Sequence, residues 1–347
     1  IASGAVRCFE LKTVFRQARE SFIIQYAHQI NNGDLPYIDT PFKKPEIWQQ
    51  NVDCLFMDAD EATQEQLNFV ARVKRFYDSQ VPEHDATPDP AANLYEFRIN
   101  EEVTPYETEL VVPKKFQHVD LRNVAMAKGE VEELLSVLKK VHPWSSLRYG
   151  LSASEVVRKL YLEWIPKYFG ENSEIQILSP MTRGSLGTIN LNRTIQESAN
   201  PAGPGKHQLT VGERVFRVGD RVIHRRNNYD LNVFNGDIGN IRDIDTENLT
   251  LSVSFYPDDR VVEYTRDAIP ELDLAYAITI HKSQGSEFEV VILPVLTQHF
   301  KMLFRNLLYT GLTRARRLAV LVGTRKAMAM AVRNRDTSRR QTALREL

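Results

Sequence analysis

Short apolar runs punctuate this chain, separated by stretches of helical or strand periodicity. Cys54-Leu-Phe-Met57, Ile175-Gln-Ile-Leu178, Val290-Val-Ile-Leu-Pro-Val295 and Leu318-Ala-Val-Leu-Val322 are β-rich and bounded by turn residues. Such runs predict central strands of a parallel sheet, buried on both faces. In open sheets of that kind ligands gather at the carboxyl ends of the strands, so that edge is the expected place for a site. A helix from about residue 16 to 31 carries Phe22, Ile23, Ala27 and Ile30 at helical spacing and stops at Asn31-Asn32-Gly33-Asp34-Leu-Pro36. A second, over 61–78, buries Leu67, Val70, Ala71 and Phe76. Val131, Leu134, Leu135, Leu138 and Val141 form a stripe that predicts a helix ended by Pro143. Ser152 and Glu155 make a capping-box pattern for another helix through Tyr168.

Residues 206–266 switch to period two, through Val215, Val218, Val222, Ile223, Ile238, Ile241, Leu249, Leu251 and Val253. With hairpin chemistry at Asn235-Gly236-Asp237, this predicts a small β-barrel inserted into the sheet domain. Residues 80–93, with Pro82, Pro88 and Pro90, predict a loop, and the weak alternation of 95–112 a hairpin. The segment 80–165 carries no chemical motif and reads as an added subdomain that covers the core or meets a partner.

Composition narrows the classes. A length of 347 residues with 42% hydrophobic content suits two or three domains. The formal net charge of −1 means that any nucleic-acid footprint is local. Two local concentrations exist: Arg214, Arg217, Arg221, Arg225 and Arg226 in the strand-like segment, and the arginines from Arg314 to Arg345. The latter read equally well as a solvated helix face beyond Arg325. Cys8 and Cys54 are too few for a disulfide framework or a zinc site and read as reduced packing residues. No apolar run approaches transmembrane length and no signal peptide is present, so a cytoplasmic globule without a membrane partner is expected.

Two polar clusters interrupt the apolar writing near the end: Thr279-Ile-His281-Lys282-Ser283-Gln284-Gly285-Ser286-Glu287-Phe288 and Leu308-Tyr309-Thr310-Gly311-Leu312-Thr313-Arg314-Ala315-Arg316. These resemble motifs V and VI of superfamily 1 helicases, in the form of the RecD-like branch that includes the alpha subunit of exodeoxyribonuclease V. Further stretches carry the resemblance: Thr13-Val-Phe15-Arg16-Gln17-Ala18, Leu178-Ser-Pro180-Met181-Thr-Arg183-Gly184, Gly219-Asp220-Arg221-Val222 through Asn227-Asn228-Tyr229-Asp230 to Phe234-Asn235-Gly236-Asp237-Ile238-Gly239, and the tail Ala331-Val-Arg333-Asn334 with Arg339-Arg340-Gln-Thr342. One such motif is weak; six in family order are not. They cover 1–35 and 175–347 but not the middle.

The resemblance implies an α/β fold: a RecA-like parallel-sheet lobe with an inserted SH3-like barrel and an additional α+β insertion. It parses the chain into 1–15, the end of a first RecA-like lobe with a strand over Val6–Leu11; 16–79, the start of the second lobe; 80–165, the insertion; 166–205, the lobe continued; 206–266, the barrel; and 267–347, motifs V and VI with C-terminal helices. It also implies an ATP-dependent motor on single-stranded DNA, running 5′ to 3′, acting at duplex junctions in recombination or repair, with other recombination or nuclease subunits as possible company. Arg314 and Arg16 would be catalytic, reaching the γ-phosphate; an arginine finger contributes roughly 10³–10⁵ in rate. Gln17, Gly285 and Glu287 would bind the nucleotide, Gly285 by close backbone approach. Ser179, Thr182, Arg183, Asn227, Asn228, Tyr229, Thr279, His281, Lys282 and Gln284 would grip the strand through phosphates with little base reading. For Tyr229 core packing is an equal reading. His281 has no metal-ligand partner at suitable spacing, so no protein-held metal is expected, and magnesium would come with ATP.

A motor of this kind needs a P-loop, G-x-x-x-x-G-K-[ST]. The nearest stretch, Gly203-Pro204-Gly205-Lys206-His207, has Asn200 at the first glycine position and His207 for the hydroxyl residue, so it is not one. With Ile1 in place of Met, the expectation is a fragment, the second lobe without the P-loop lobe and inactive alone. The rival expectation is a non-catalytic DNA-binding or adaptor module that keeps a helicase lobe.

Overall fold

The computed structural model describes residues 21–78 and 110–335. They fall into two compact units, one of residues up to 60 and from 144 onward, the other within 61–143. The expectations for 1–20, 79–109 and 336–347, including the Val6–Leu11 strand, the 95–112 hairpin, Cys8, Arg16, Gln17 and the Arg339-Arg340 tail, lie outside the described residues.

In the larger unit, β1 (Cys54–Asp58) and β2 (Ile175–Ser179) are followed by seven strands that lie outside their sheet. These are β3 (Gln208–Val211), β4 (Arg214–Arg217), β5 (Arg221–His224), β6 (Ile238–Asp245), β7 (Thr250–Phe255), β8 (Arg260–Tyr264) and β9 (Leu272–Leu274). The chain then returns through β10 (Ala277–Thr279), β11 (Phe288–Val295) and β12 (Ala315–Gly323). The main sheet has the order β1-β12-β11-β2-β10, all pairs parallel. Successive side chains of a strand point to opposite faces, and here both faces are covered. Phe56, Val291, Leu293, Ala319 and Leu321 pack on one side against α1 (Phe22–Asn32) and two late helices, Arg305–Leu312 and Arg325–Arg333. Leu55, Met57, Val290, Ile292, Leu318 and Val320 pack on the other, with Val156, Val157, Leu160, Leu191 and Ile195. That double cover is why these strands are written as unbroken apolar runs.

Ser152 caps its helix, its hydroxyl accepting from Glu155 N–H at 3.4 Å, but the reciprocal half of the box does not form: the Glu155 carboxylate accepts from Arg158 instead. The helix that follows is not one regular rod: it runs Ala153–Lys159, widens into a π turn over Leu160–Trp164, and resumes over Ile165–Phe169. Its apolar residues belong to the sheet core, so residues 144–165 join the larger unit rather than an insertion of 80–165. The remaining helix of this face, Thr188–Ala199, follows β2.

Strands β5 to β9 form an antiparallel sheet of order β8-β7-β6-β5-β9, and β3 and β4 a hairpin. Leu209 and Phe216 of the hairpin close one core with Val222, Ile241, Val253, Phe255 and Tyr264. The fifth strand lies beyond residue 266, the predicted end of the barrel; a Leu-Asp-Leu strand is too short to register as a period. In the smaller unit, α2 (Gln64–Asp78), α3 (Leu121–Met126) and α4 (Glu130–Val137) meet around Phe69, stacked on Phe116 at 4.1 Å, and Lys74 pairs with Glu133. The last of these helices stops at Val137, not Pro143. Of the stripe only Leu134 is buried, beside Val137, which lay outside it, and Leu138 is already extended. With α1 to α4 so placed, Ala153–Lys159, Ile165–Phe169, Thr188–Ala199, Arg305–Leu312 and Arg325–Arg333 are α5 to α9.

Candidate functional site

The candidates separate onto two edges of the main sheet. Arg314 lies between the end of α8 and the start of β12, at the amino edge, where Phe288 N–H donates to Arg314 O at 2.8 Å. Its half-buried guanidinium donates from Nε to Thr310 O (3.3 Å) and from Nη1 to Ser286 O (3.2 Å). Both acceptors are neutral carbonyls. The other arginines of this edge have carboxylate partners: Arg221 (3.1 Å) and Arg316 (3.7 Å) share Glu174, and Arg317 lies against Glu289. Among the described residues no carboxylate pairs with Arg314, which leaves a full positive charge available to an anion.

Gly285 and Glu287 lie beside it. The connection from β10 to β11 runs back along the sheet, through the 3-10 turn Ile280–Ser283 and then Gly285 at φ +89°. A Cβ there would meet nothing within 4 Å, so glycine is required by the left-handed turn rather than by crowding. Glu287 is exposed, with no ion pair among the described residues. These three candidates, Arg314, Gly285 and Glu287, therefore lie at the amino edge, not at the carboxyl ends where the strand pattern places a site. The returning connection and the downward run of α8 both deliver their last residues to the opposite edge. Arg16 and Gln17 lie outside the described residues.

The carboxyl edge holds the loop after β2. Ser179 is fully buried; its hydroxyl donates to Leu186 O (2.6 Å) or Met181 O (3.0 Å) and accepts from Met181 N–H. It shapes the loop and offers no surface contact. Thr182 and Arg183 are exposed at the tip. The loop turns so tightly that a Cβ on Gly187 would lie 2.5 Å from Arg183 C and O. Thr279 caps the following turn by accepting from Lys282 N–H at 3.3 Å, while His281, Lys282 and Gln284 are exposed on the returning connection.

Asn227, Asn228 and Tyr229 stand on the long loop between β5 and β6. Asn227 Oδ1 accepts from Asn235 N–H (3.0 Å); Asn228 Oδ1 accepts from Leu231 N–H (3.1 Å) and its Nδ2 donates to Glu271 (3.1 Å). Both amides build the loop. Tyr229 does not pack in the core: it is 76% exposed, edge-on to Phe234 at 6.1 Å. Pattern reasoning missed the two carboxylates behind this loop. Glu271 receives Arg226, and Asp273 receives Arg214 (2.8 Å) and Arg225 (3.2 Å). Their only trace is the alternation Glu271-Leu-Asp273-Leu274. His224, buried between Tyr264 (Nδ1 to Oη, 3.0 Å) and Glu271, has its pKa lowered, chiefly by burial.

The strand domain is fixed to the sheet domain by one buried carboxylate. Asp220 Oδ1 accepts from Asn200 Nδ2 (2.6 Å) and Tyr276 Oη (2.9 Å); Oδ2 accepts from Gln196 Nε2 (2.5 Å) and Arg217 N–H (2.7 Å). The Tyr276 phenol is pushed well up, first by burial and then by Asp220. Among the described residues no group of three His, Cys, Asp or Glu could hold a metal ion, and no helix is long and apolar enough to cross a membrane.

Residues 191–255 match the family described as the SH3 domain of ATP-dependent RecD-like DNA helicases, and residues 274–322 the UvrD-like helicase C-terminal domain. The ATP-dependent RecD2 DNA helicase of Deinococcus radiodurans is 39% identical over 206 residues, 58% of this chain and 27% of that protein. The RecBCD enzyme subunit RecD of Haemophilus influenzae is 25% identical over 64% of this chain and 32% of its own length. That of Buchnera aphidicola from Schizaphis graminum is 30% identical over 45% and 26%. Among solved structures, Bacteroides Pif1 bound to single-stranded DNA aligns over 44% of this chain and 42% of that one, at 19% identity and a TM-score of 0.33. The chain thus spans between a quarter and a third of these three curated relatives. It carries a RecD-like helicase SH3 domain and a UvrD-like helicase C-terminal domain, on an α/β fold with a parallel sheet.

Proposed function

We propose that this chain, a RecD-like helicase C-terminal portion, is the second motor lobe of an ATP-dependent DNA helicase that moves 5′ to 3′ on single-stranded DNA in recombination or repair. The observation that carries this reading is the unneutralised Arg314 beside the Gly285 turn and the free Glu287 carboxylate. A guanidinium held on two neutral carbonyls keeps its charge for a γ-phosphate, which supports the finger reading, since phosphoryl transfer depends mostly on positioning and charge. Glu287 could accept hydrogen bonds from ribose hydroxyls.

Arg16 and Gln17 would join them. Ser21, the first described residue, is tied to Asp53 at the same edge (2.5 Å). The ATP phosphates and magnesium would be held mainly by a P-loop lobe, since this sequence has no such motif and its described residues no metal cluster. Thr182 and Arg183 at the loop tip, with Thr279, His281, Lys282 and Gln284, would meet the strand backbone, and Tyr229 would offer a stacking face.

A second reading, a non-catalytic DNA-binding or adaptor module, is favoured by the missing P-loop alone. Relatives that are RecBCD subunits support recombination or nuclease subunits as company in either case. The discriminating assay is ATP hydrolysis, with and without single-stranded DNA, by this chain and by the gene product extended upstream. DNA-stimulated turnover in the extended protein, abolished by Arg314→Ala with DNA binding retained, is expected. Near-normal turnover of Arg314→Ala would sink the finger role, and turnover by this chain alone would sink the two-lobe reading.

A further inference from the structure

Asp273 gathers three cations from three separate segments. Arg214 on β4 approaches Oδ1 at 2.8 Å, Arg225 beyond β5 approaches Oδ2 at 3.2 Å, and Lys282 on the β10–β11 connection approaches Oδ2 at 3.5 Å. The three are not equal. Arg214 is anchored further on Leu272 O, and its side chain is 30% exposed. Arg225 and Lys282 are 49% and 39% exposed, and each meets Asp273 from the solvent side. Register explains the convergence: Ile223 pairs with Asp273 across β5 and β9, so Arg225, two residues on, lies diagonally opposite on the same face. The cluster carries two positive charges in excess of its one carboxylate, at the seam between the strand domain and the candidate nucleotide loop.

We infer that Arg214, Arg225 and Lys282 form a subsite for one backbone phosphodiester of single-stranded DNA, and that Asp273 is its resident counter-anion. This rests on the DNA-binding reading above. With no strand bound, Asp273 holds the cations together and upright. An arriving phosphate takes over Lys282 and Arg225, the two outer partners, while Arg214 keeps Asp273 in place. Exchange of one anion for another leaves no buried charge unpaired, which makes the site quickly reversible, as a translocating lobe needs. Because Lys282 is three residues from Gly285, occupancy of the phosphate subsite is felt directly on the connection that bears the candidate nucleotide contacts.

The test is the salt dependence of oligo(dT) binding by this chain. A single-strand phosphate contact contributes a slope of about −0.7 in log K against log salt. Lys282→Ala and Arg225→Ala should each weaken binding. Because they share one phosphate, the double variant should lose about 0.7 of slope in total, not about 1.4. Asp273→Asn should tighten binding roughly two- to five-fold at low salt, the size of an exposed ion pair no longer given up. That gain should vanish in the Arg225→Ala/Lys282→Ala background. Unchanged or weaker binding by a folded Asp273→Asn would overturn the inference. If that variant does not fold, additive slopes from the two alanine variants would overturn it and the shared slope would support it. Inorganic phosphate at matched ionic strength is the control. Displacement of the strand by millimolar phosphate in the wild type but not the double variant would mean a free-anion site instead. A wild-type chain that binds no oligo(dT) at low salt would remove the DNA reading itself.

Discussion

Replacing Asp220 by asparagine changes one atom of a buried side chain and removes half of its acceptor capacity. Each carboxylate oxygen accepts two hydrogen bonds, Oδ1 from Asn200 and Tyr276, Oδ2 from Gln196 and the Arg217 backbone. An amide has one oxygen and one NH2. Whichever way it turns, its NH2 faces two donors. Two buried donors lose their partner, at about 1–3 kcal/mol each, and the new NH2 finds no acceptor. The full cost comes to roughly 2–5 kcal/mol. In urea this is a midpoint drop of about 1 M, readable by the fluorescence of Trp48 and Trp164, which pack against the sheet core. The effect should reach further than stability. Gln196 and Asn200 lie at the end of α7, Tyr276 leads into β10, and Arg217 ends β4, so the network is the joint between the strand domain and the sheet. Oligo(dT) affinity should fall in the folded fraction. A midpoint shift of less than about 0.3 M would refute the reasoning, because it would mean that the donors find other acceptors at less than ~1 kcal/mol.

Burial lowers the His299 pKa to about 4 from an ordinary 6.5, and the ring accepts from Leu296 N–H at 3.4 Å. The folded state therefore binds the proton less readily than the unfolded one. The stability this neutral ring supplies is complete above pH 6.5 and is lost as pH falls towards 4, by about 3 kcal/mol in all. Acid titration of the urea midpoint should show this loss, and His299→Gln, which keeps an acceptor, should flatten that part of the profile. An unchanged profile in the variant would assign the loss elsewhere. Gly187→Ala should strain the loop that presents Thr182 and Arg183, since the new methyl would meet the Arg183 backbone at 2.5 Å. A stability loss of about 1–3 kcal/mol, as for overpacking, is expected with weaker oligo(dT) binding. Wild-type behaviour in both assays would show that the loop relaxes freely.

Much of the sheet domain could be read along the chain. A strand buried on both faces has no polar positions to write, so the runs at 54, 175, 290 and 318 stood out. The Ser152 cap was equally legible, because it joins residues three apart. What could not be read was the breaking of the 153–169 helix by a π turn, or the stop at Val137. Both depend on which side chains find a core, and neither is a property of the local period.

The same division runs through the site. The resemblance of two polar clusters to helicase motifs V and VI singled out Arg314, Gly285 and Glu287 as a group. The edge they occupy was decided by the direction of the β10–β11 connection, which only the fold sets. Charge state is the clearest case. The arginines look alike in the sequence, and which of them is free depends on carboxylates far away along the chain. Arg221 meets Glu174 across 47 positions, and Arg214 meets Asp273 across 59. Ion pairs form through space at a few ångströms, and a linear pattern carries no information at that separation. The sequence by itself thus determined which residues are candidates for phosphate chemistry; tertiary structure decided which of their charges stay unpaired.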